Sequence, residues 1–271
     1  MDTAADARAI ESLLSFWSQA GADACFVEAP VDRLAQRPAS APKPPARAVT
    51  APSAASAPLQ APALAAAVQQ ARDLAAQAQD LSELEAVIAA FDGCGLKFEG
   101  AKRAVFSRGA ADAPVLIIGE GPGAEEDAQG APFVGRAGKL LDKMLAAAGL
   151  TDRVFITNTV FWRPTGNRTP TPAEQMVCAP FLERAIALVK PRFLMLAGGA
   201  AAKAVLKREE GILSLRGRWF DWTSEDGSLQ LPALPTLHPA FLLRQPGAKK
   251  RAWADLLTLS ERLNRPERPE G

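Results

Sequence analysis

The chain has a single histidine, His238, in the run Leu237-His238-Pro239-Ala240-Phe241-Leu242-Leu243-Arg244. Imidazole is the side chain that exchanges or donates a proton near neutral pH, so any histidine chemistry here has one candidate. A second group is Gly119-Glu120-Gly121-Pro122-Gly123-Ala124-Glu125-Glu126-Asp127. Its glycines suggest a nucleotide loop, but the G-x-G-x-x-G spacing is absent, Pro122 lacks an N–H, and three consecutive carboxylates would repel a phosphate. Gly138-Lys139-Leu140 likewise fails the G-K-[ST] requirement of a phosphate loop. The acids suit holding a water or balancing a developing cation. A third group, Gly130-Ala131-Pro132-Phe133-Val134-Gly135, offers a ring that stacks on a flat ligand or simply fills core. A fourth is Asn158 in Ile156-Thr157-Asn158. A planar amide has one acceptor and two donors. Facing a pyrimidine edge, it can accept from N3–H and donate to O4, a pattern that cytosine reverses; the plainer role is bracing a loop. Arg163, Arg168, Arg244, Lys249, Lys250 and Arg251 could meet phosphates together, or be ordinary solvated charges.

These groups need a scaffold. Val115 to Ile118 is a continuous apolar run ending at Gly119, which predicts a buried strand. Val154–Thr157, Phe193–Ala197 and Leu234–Leu237 predict three more. Helices are predicted from about Leu64 to Ala90, around Leu140–Ala148, from the capping box Thr171-Pro172-Ala173-Glu174, from Gly199 to Leu206, and from Lys249 to Leu263. Trp219–Leu231 reads as a polar hairpin. Strand and helix alternate, which predicts a three-layer α/β/α sandwich on a mainly parallel four-stranded sheet. In such sheets ligands sit at the carboxyl ends of the strands, where Gly119–Asp127, Asn158, Gly198-Gly199 and His238 all fall.

The 271 residues are 48% apolar and 23% charged with a net charge of +1, which excludes pervasive disorder and a uniformly basic coat. Cys25, Cys94 and Cys178 are too sparse for a disulfide framework and fit a reducing cytoplasm. No apolar run is long enough to span a membrane, and no signal peptide is visible. Ile10, Leu13, Leu14 and Trp17 predict an N-terminal helix within residues 1–37. From Pro38 to Pro62, 19 of 25 residues are Ala, Pro or Ser, which predicts a disordered linker. The α/β domain is then 63–264, with a tail at 265–271. The apolar stripe ahead of a flexible arm would suit docking to another protein.

In this order, GEGPGAEED, GAPFVGRAGKLL, ITNTVFWRPTGNRTP and HPAFLLR resemble family-four uracil-DNA glycosylases from about Phe91 to Leu259. The resemblance implies hydrolysis of the bond between uracil and deoxyribose in DNA, leaving an abasic site, by a monomer that needs no organic cofactor. Phe133 would stack on the extruded uracil, Asn158 would read it, and His238 would stabilise the departing anion. Glu120 and Gly121 would line the pocket, Glu120 among the catalytic groups, and Glu126 would handle the water. Arg163, Arg168, Gly199, Leu242, Leu243 and Arg244 would meet DNA, with Leu242 or Leu243 as the wedge in the duplex.

The chain also departs from the family. Members typically hold a 4Fe–4S cluster on four cysteines, and here Lys97 and Trp162 occupy two of those positions, leaving Cys94 and Cys178. Two thiols cannot hold such a cluster, so no metal is expected. Gly123 stands where some relatives place a bulky residue against the thymine methyl, so exclusion must come from elsewhere. No insertion follows the first motif and there is no second histidine, unlike the branch that cross-links itself to uracil-DNA. The competing readings are a uracil-DNA binding protein with weak or no turnover, and a nucleotide-binding domain.

Overall fold

The computed structural model describes residues 61–265. The N-terminal helix, nearly all of the linker and most of the C-terminal tail lie outside them.

The helical stretch expected from about Leu64 to Ala90 forms as two helices, α1 (Ala61–Gln77) and α2 (Leu81–Ala90). The break is a capping signal. Asp80 accepts the Glu83 N–H at 2.8 Å, and the Glu83 carboxylate reaches back to the Gln79 N–H at 2.7 Å. Ala61 and Pro62, assigned to the linker from composition, already belong to α1.

Then follow β1 (Arg108–Gly109), β2 (Val115–Gly119), α3 (Ala124–Gln129), α4 (Arg136–Ala147), β3 (Val154–Asn158) and α5 (Pro172–Val189). The chain continues through β4 (Phe193–Ala197), α6 (Gly199–Leu206), α7 (Ile212–Leu215), β5 (Phe220–Thr223), β6 (Gln230–Thr236), α8 (Pro239–Arg244) and α9 (Lys249–Asn264). The capping box that opens α5 forms as read, with Thr171 and Glu174 exchanging backbone N–H bonds at 2.7 and 3.3 Å.

The sheet has six strands, not four, in the order β1-β3-β2-β4-β6-β5. β3, β2, β4 and β6 pair in parallel, and β1 and β5 add antiparallel edges. Both extra strands escape a hydrophobic reading because edge strands are short and half polar. β5 and β6 form the expected hairpin, and β6 starts four residues earlier than its apolar run.

Alternation along the parallel strands builds two cores. Leu116, Ile118, Leu194 and Leu196 face α1, α2, α5 and α6. Val115, Ile117, Met195 and Leu234 face α4 and α9. Because successive residues point to opposite faces, continuous apolar runs are what a sheet covered on both sides demands.

Candidate active site

The site forms where β2 and β3 end side by side. Gly119 pairs with Asn158 in the parallel register, and Thr159 donates its N–H to the Gly119 carbonyl at 2.9 Å. A Cβ on Gly119 would lie 2.4 Å from Asn158 Oδ1 and 2.6 Å from the Phe133 ring. The amide and the ring therefore converge on one glycine, and no larger residue fits between them. Asn158 is 2% exposed, yet its side-chain amide makes no hydrogen bond among the described residues. Among the described residues no buried side-chain polar atom lacks a partner, so this amide is reached by solvent at the strand ends, where the edge of a ligand can meet it. This argues against the loop-bracing role.

Phe133 holds a left-handed backbone, φ +55°, which a bulky residue adopts only when its surroundings impose it. Two contacts do so. Arg108 on β1 donates to the Pro132 and Phe133 carbonyls at 2.7 and 3.2 Å while pairing with Asp142 at 2.6 Å. Gly138 lets α4 slide beneath the loop, since a Cβ there would fall 1.6 Å from the Phe133 oxygen. Sequence reading missed Arg108, because a lone arginine in a two-residue strand carries no local signal.

His238 is the N-cap of α8, not part of a loop: its Nδ1 accepts the Ala240 N–H at 3.1 Å. That bond fixes the tautomer and leaves the proton on Nε2. Burial, aided by the charge of Arg244 and opposed by Glu126, pulls its pKa down to about 4. At neutral pH His238 is thus an uncharged imidazole with a free-standing N–H donor. Its ring lies 5.6 Å from that of Phe133, inclined at 32°. Gly198, at φ +102°, lets β4 approach, because a Cβ there would sit 2.9 Å from the His238 Cβ.

The acidic run divides. Glu126 accepts the Gly123 N–H at 3.1 Å with one oxygen and the Gly135 N–H at 2.9 Å with the other, tying the first loop to the Phe133 loop. Asp127 is buried away from the rim and accepts the Lys102 N–H at 2.8 Å. The expectation that the cluster as a whole would hold a water does not fit this geometry. Glu120 stays at the rim, its carbonyl taking the Thr159 hydroxyl at 2.6 Å and its carboxylate unpartnered among the described residues. Gly121 faces Val160, Pro164 and Pro170, and a Cβ on it would lie 2.9 Å from Val160.

Among the residues expected to meet DNA, two are placed otherwise. Leu242 is 0% exposed, packed with Leu237 and Ala252, and cannot act as a wedge, whereas Leu243 is 38% exposed. Arg168 grips both oxygens of Glu174 at 2.7 and 2.9 Å and one of Glu99 at 3.0 Å, so its guanidinium holds the loop rather than awaiting a phosphate. Arg163 donates to Asn167 at 2.7 Å. Gly199 opens α6 at the rim against Ile212. Arg244, Lys249, Lys250 and Arg251 are exposed with no anionic partner among the described residues.

Cys94 and Cys178 meet, Sγ to Sγ at 4.0 Å, as buried free thiols. The Cys178 S–H donates to Cys94, which lowers the Cys94 pKa and raises that of Cys178. Lys97 turns away to the end of α2, donating to the Ala89 and Phe91 carbonyls at 2.8 and 3.2 Å and to Asp92 at 2.7 Å. Trp162 is buried against Phe161. Two thiols, an ammonium committed to a helix end and an indole do not fit a group that takes four thiolates. Among the described residues no three metal-capable side chains cluster, and no helix is long and apolar enough to cross a membrane.

An α/β sheet that gathers an unpartnered amide, a phenyl ring and a neutral imidazole where its chain order reverses defines a class. It is an open α/β sheet of the kind that places ligands at the carboxyl ends of its strands. Over residues 106–257 the sequence matches the Uracil DNA glycosylase superfamily. It is 39% identical over 142 residues to the Type-4 uracil-DNA glycosylase of Thermotoga maritima, covering 52% of this chain and 71% of that protein. With the Type-4 enzyme of Pyrobaculum aerophilum the identity is 37% over 182 residues, covering 65% and 91%. With that of Sulfurisphaera tokodaii it is 35% over 171 residues, covering 61% and 77%. The chain belongs to the uracil-DNA glycosylase superfamily, within its type-4 group.

Proposed function

We propose that this chain is a uracil-DNA glycosylase: it takes uracil out of the DNA helix and hydrolyses its N-glycosidic bond, leaving an abasic site for base excision repair. The observation that carries this reading is the Asn158 amide at the strand ends, without a hydrogen-bond partner among the described residues, set against Phe133. A base inside the stack cannot reach such a pocket, so the nucleotide flips out, at a cost of a few kcal/mol. Phe133 stacks on the ring. Asn158 accepts from N3–H and donates to O4. His238 donates Nε2–H to O2, where negative charge grows as the base departs. A neutral donor suits this step, because it strengthens with the developing charge and needs no proton transfer. The sugar becomes cationic, which favours the nearby carboxylates and the DNA phosphates.

Glu126 is assigned to shape rather than to proton abstraction, since both its oxygens take backbone N–H groups. Its carboxylate would lie 2.7 Å from a Cβ on Gly123, so it fills the space in front of that glycine, the position where some relatives set a bulky residue. Glu120 is the carboxylate left to orient the water. The Arg244, Lys249, Lys250 and Arg251 side chains would carry the DNA phosphates. All of these residues come from one chain, so the reading needs no second copy, and free thiols suit a reducing cytoplasm. We further assign the enzyme to a branch that works without the cluster, its Cys94 site closed by Lys97 and Trp162. Residues 61–264 form the catalytic domain in this reading, with residues 1–37 a docking element for another protein.

The test is excision from a labelled uracil oligonucleotide in EDTA. Abasic product at turnover is expected. Tight binding without product would replace the enzyme by a uracil-DNA binding protein.

A paired substitution tests the wedge. Leu243→Ala is expected to slow excision from duplex far more than from single strands, with stability changed by less than about 0.5 kcal/mol. Leu242→Ala is expected to cost about 2–5 kcal/mol in a denaturant melt, as for other core leucines.

A further inference from the structure

Behind the site runs a polar chain with no part in the chemistry above. Asp255 on α9 is 2% exposed, and Arg216 binds it through two guanidinium nitrogens, one of them at 3.1 Å. The other oxygen-bound partner of Asp255 is the Thr236 hydroxyl, at 2.7 Å. Thr236 ends β6, two residues before His238, and its carbonyl accepts the Gly198 N–H at 2.9 Å. Gly198 is the residue against which His238 packs. Arg216 also donates to the Arg251 carbonyl at 2.6 Å, and the next residue, Gly217, donates its N–H to the Pro235 carbonyl at 3.0 Å. Gly217 sits at φ +73°, where a Cβ would be 2.9 Å from Asp255.

A buried ion pair is weak evidence for stability, because desolvation offsets much of its attraction. This one joins α9, the segment after α7 and the two strand ends, β4 and β6, that carry Gly198 and His238. On the reading that His238 stabilises the departing base, we infer that Arg216, Asp255 and Thr236 are positioning residues that set the orientation of the His238 imidazole. Thr236 anchors the strand end that leads into His238, and Gly198, bound to the Thr236 carbonyl, packs against the His238 Cβ. Asp255 fixes Thr236, and Arg216 fixes Asp255. The donor must point at a small target, and a displacement of about 1 Å costs on the order of 100-fold in rate.

His238 is the only histidine, so its ring gives one set of nuclear magnetic resonance signals in the full chain. Thr236→Val keeps the shape of the side chain and the carbonyl bond to Gly198 but removes the hydroxyl. Asp255→Asn keeps an acceptor for Thr236 and removes the charge. Wild type is expected to show the Nε2–H tautomer alone. Both variants are expected to shift the ring signals, and to show single-turnover excision slower by about 10-fold to 100-fold, with uracil-DNA affinity within about 2-fold. In the His238→Ala background the same changes should then have little further effect, because the interaction they serve is gone. Ring signals identical to wild type in both variants overturn the inference, as does an equal loss of rate with and without His238. If wild type excises no uracil, the functional reading falls, and the ring signals alone decide whether the network orients His238.

Discussion

Replacing His238 by alanine is expected to lower the single-turnover rate of uracil excision by about 10²–10³, the usual effect of removing one preorganised donor from a developing anion. Affinity for uracil-DNA should change little, because the donor matters most after the bond has begun to break. The substitution also removes the cap of α8 and is expected to cost about 1 kcal/mol of stability. His238→Asn separates the two effects, since asparagine is a good cap but places its donor differently. It should melt like wild type and still excise slowly. The pH profile makes a sharper statement. With its pKa pulled down to about 4, His238 is neutral through the range in which an ordinary histidine titrates. The excision rate should show no inflection near pH 6.5 and should fall only toward pH 4, as Nδ1 gains a proton and loses the Ala240 bond. Stability follows the same group. Above pH 6.5 both folded and unfolded chains hold it neutral. As the pH falls from 6.5 to 4 the unfolded chain takes the proton first, so stability is lost across that window and levels off below it. Melts of wild type and His238→Asn should coincide near pH 7 and diverge toward pH 4, where the variant becomes the more stable. A rate profile with a step at pH 6.5 would mean a charged imidazole and a different mechanism.

Asn158→Asp is expected to be more severe for recognition. The carboxylate keeps an acceptor for uracil N3–H but loses the donor to O4, and it sets a negative charge against that carbonyl. Sites built to hydrogen-bond a polar edge discriminate by about 10⁴–10⁵ when the match is lost, because buried polar groups are left unpaired. We expect uracil excision to fall by at least about 10³, with the ratio of uracil to cytosine excision falling too, since a carboxylate can accept from the cytosine amino group. Competition between uracil and cytosine oligonucleotides measures this directly. A variant with wild-type uracil excision would show that Asn158 does not read the base. The amide has no partner among the described residues, so aspartate breaks no existing bond, but a carboxylate at a position 2% exposed costs stability, and a denaturant melt is read beside the rate.

The alternation of strand and helix and the placing of each motif at a strand end were legible in the sequence. Both are local. A four-residue apolar run closed by a glycine, as at Val115–Gly119, or a capping box, as at Thr171–Glu174, is written in neighbouring residues. The ordered motifs therefore pointed to Phe133, Asn158 and His238 before any packing was known. The side-chain partners were not legible, because they come from far along the chain. Arg168 meets Glu99 across 69 residues, and no local pattern distinguishes that clamp from an arginine waiting for phosphate. Lys97 looked like a missing ligand and is a helix cap; Glu126 looked like a base and braces two loops. The wedge turned on one step along α8. A helix rotates about 100° per residue, so Leu242 and Leu243 point in different directions. Only the packing of α8 on Leu237 and Ala252 decided which of them is buried. Local periodicity was enough for the four parallel strands and for the groups that reach the rim, but not for the edge strands or the break between α1 and α2. The tertiary structure alone decided which charges are already used, which leucine is exposed and how His238 is protonated, since these depend on burial and on partners distant in sequence.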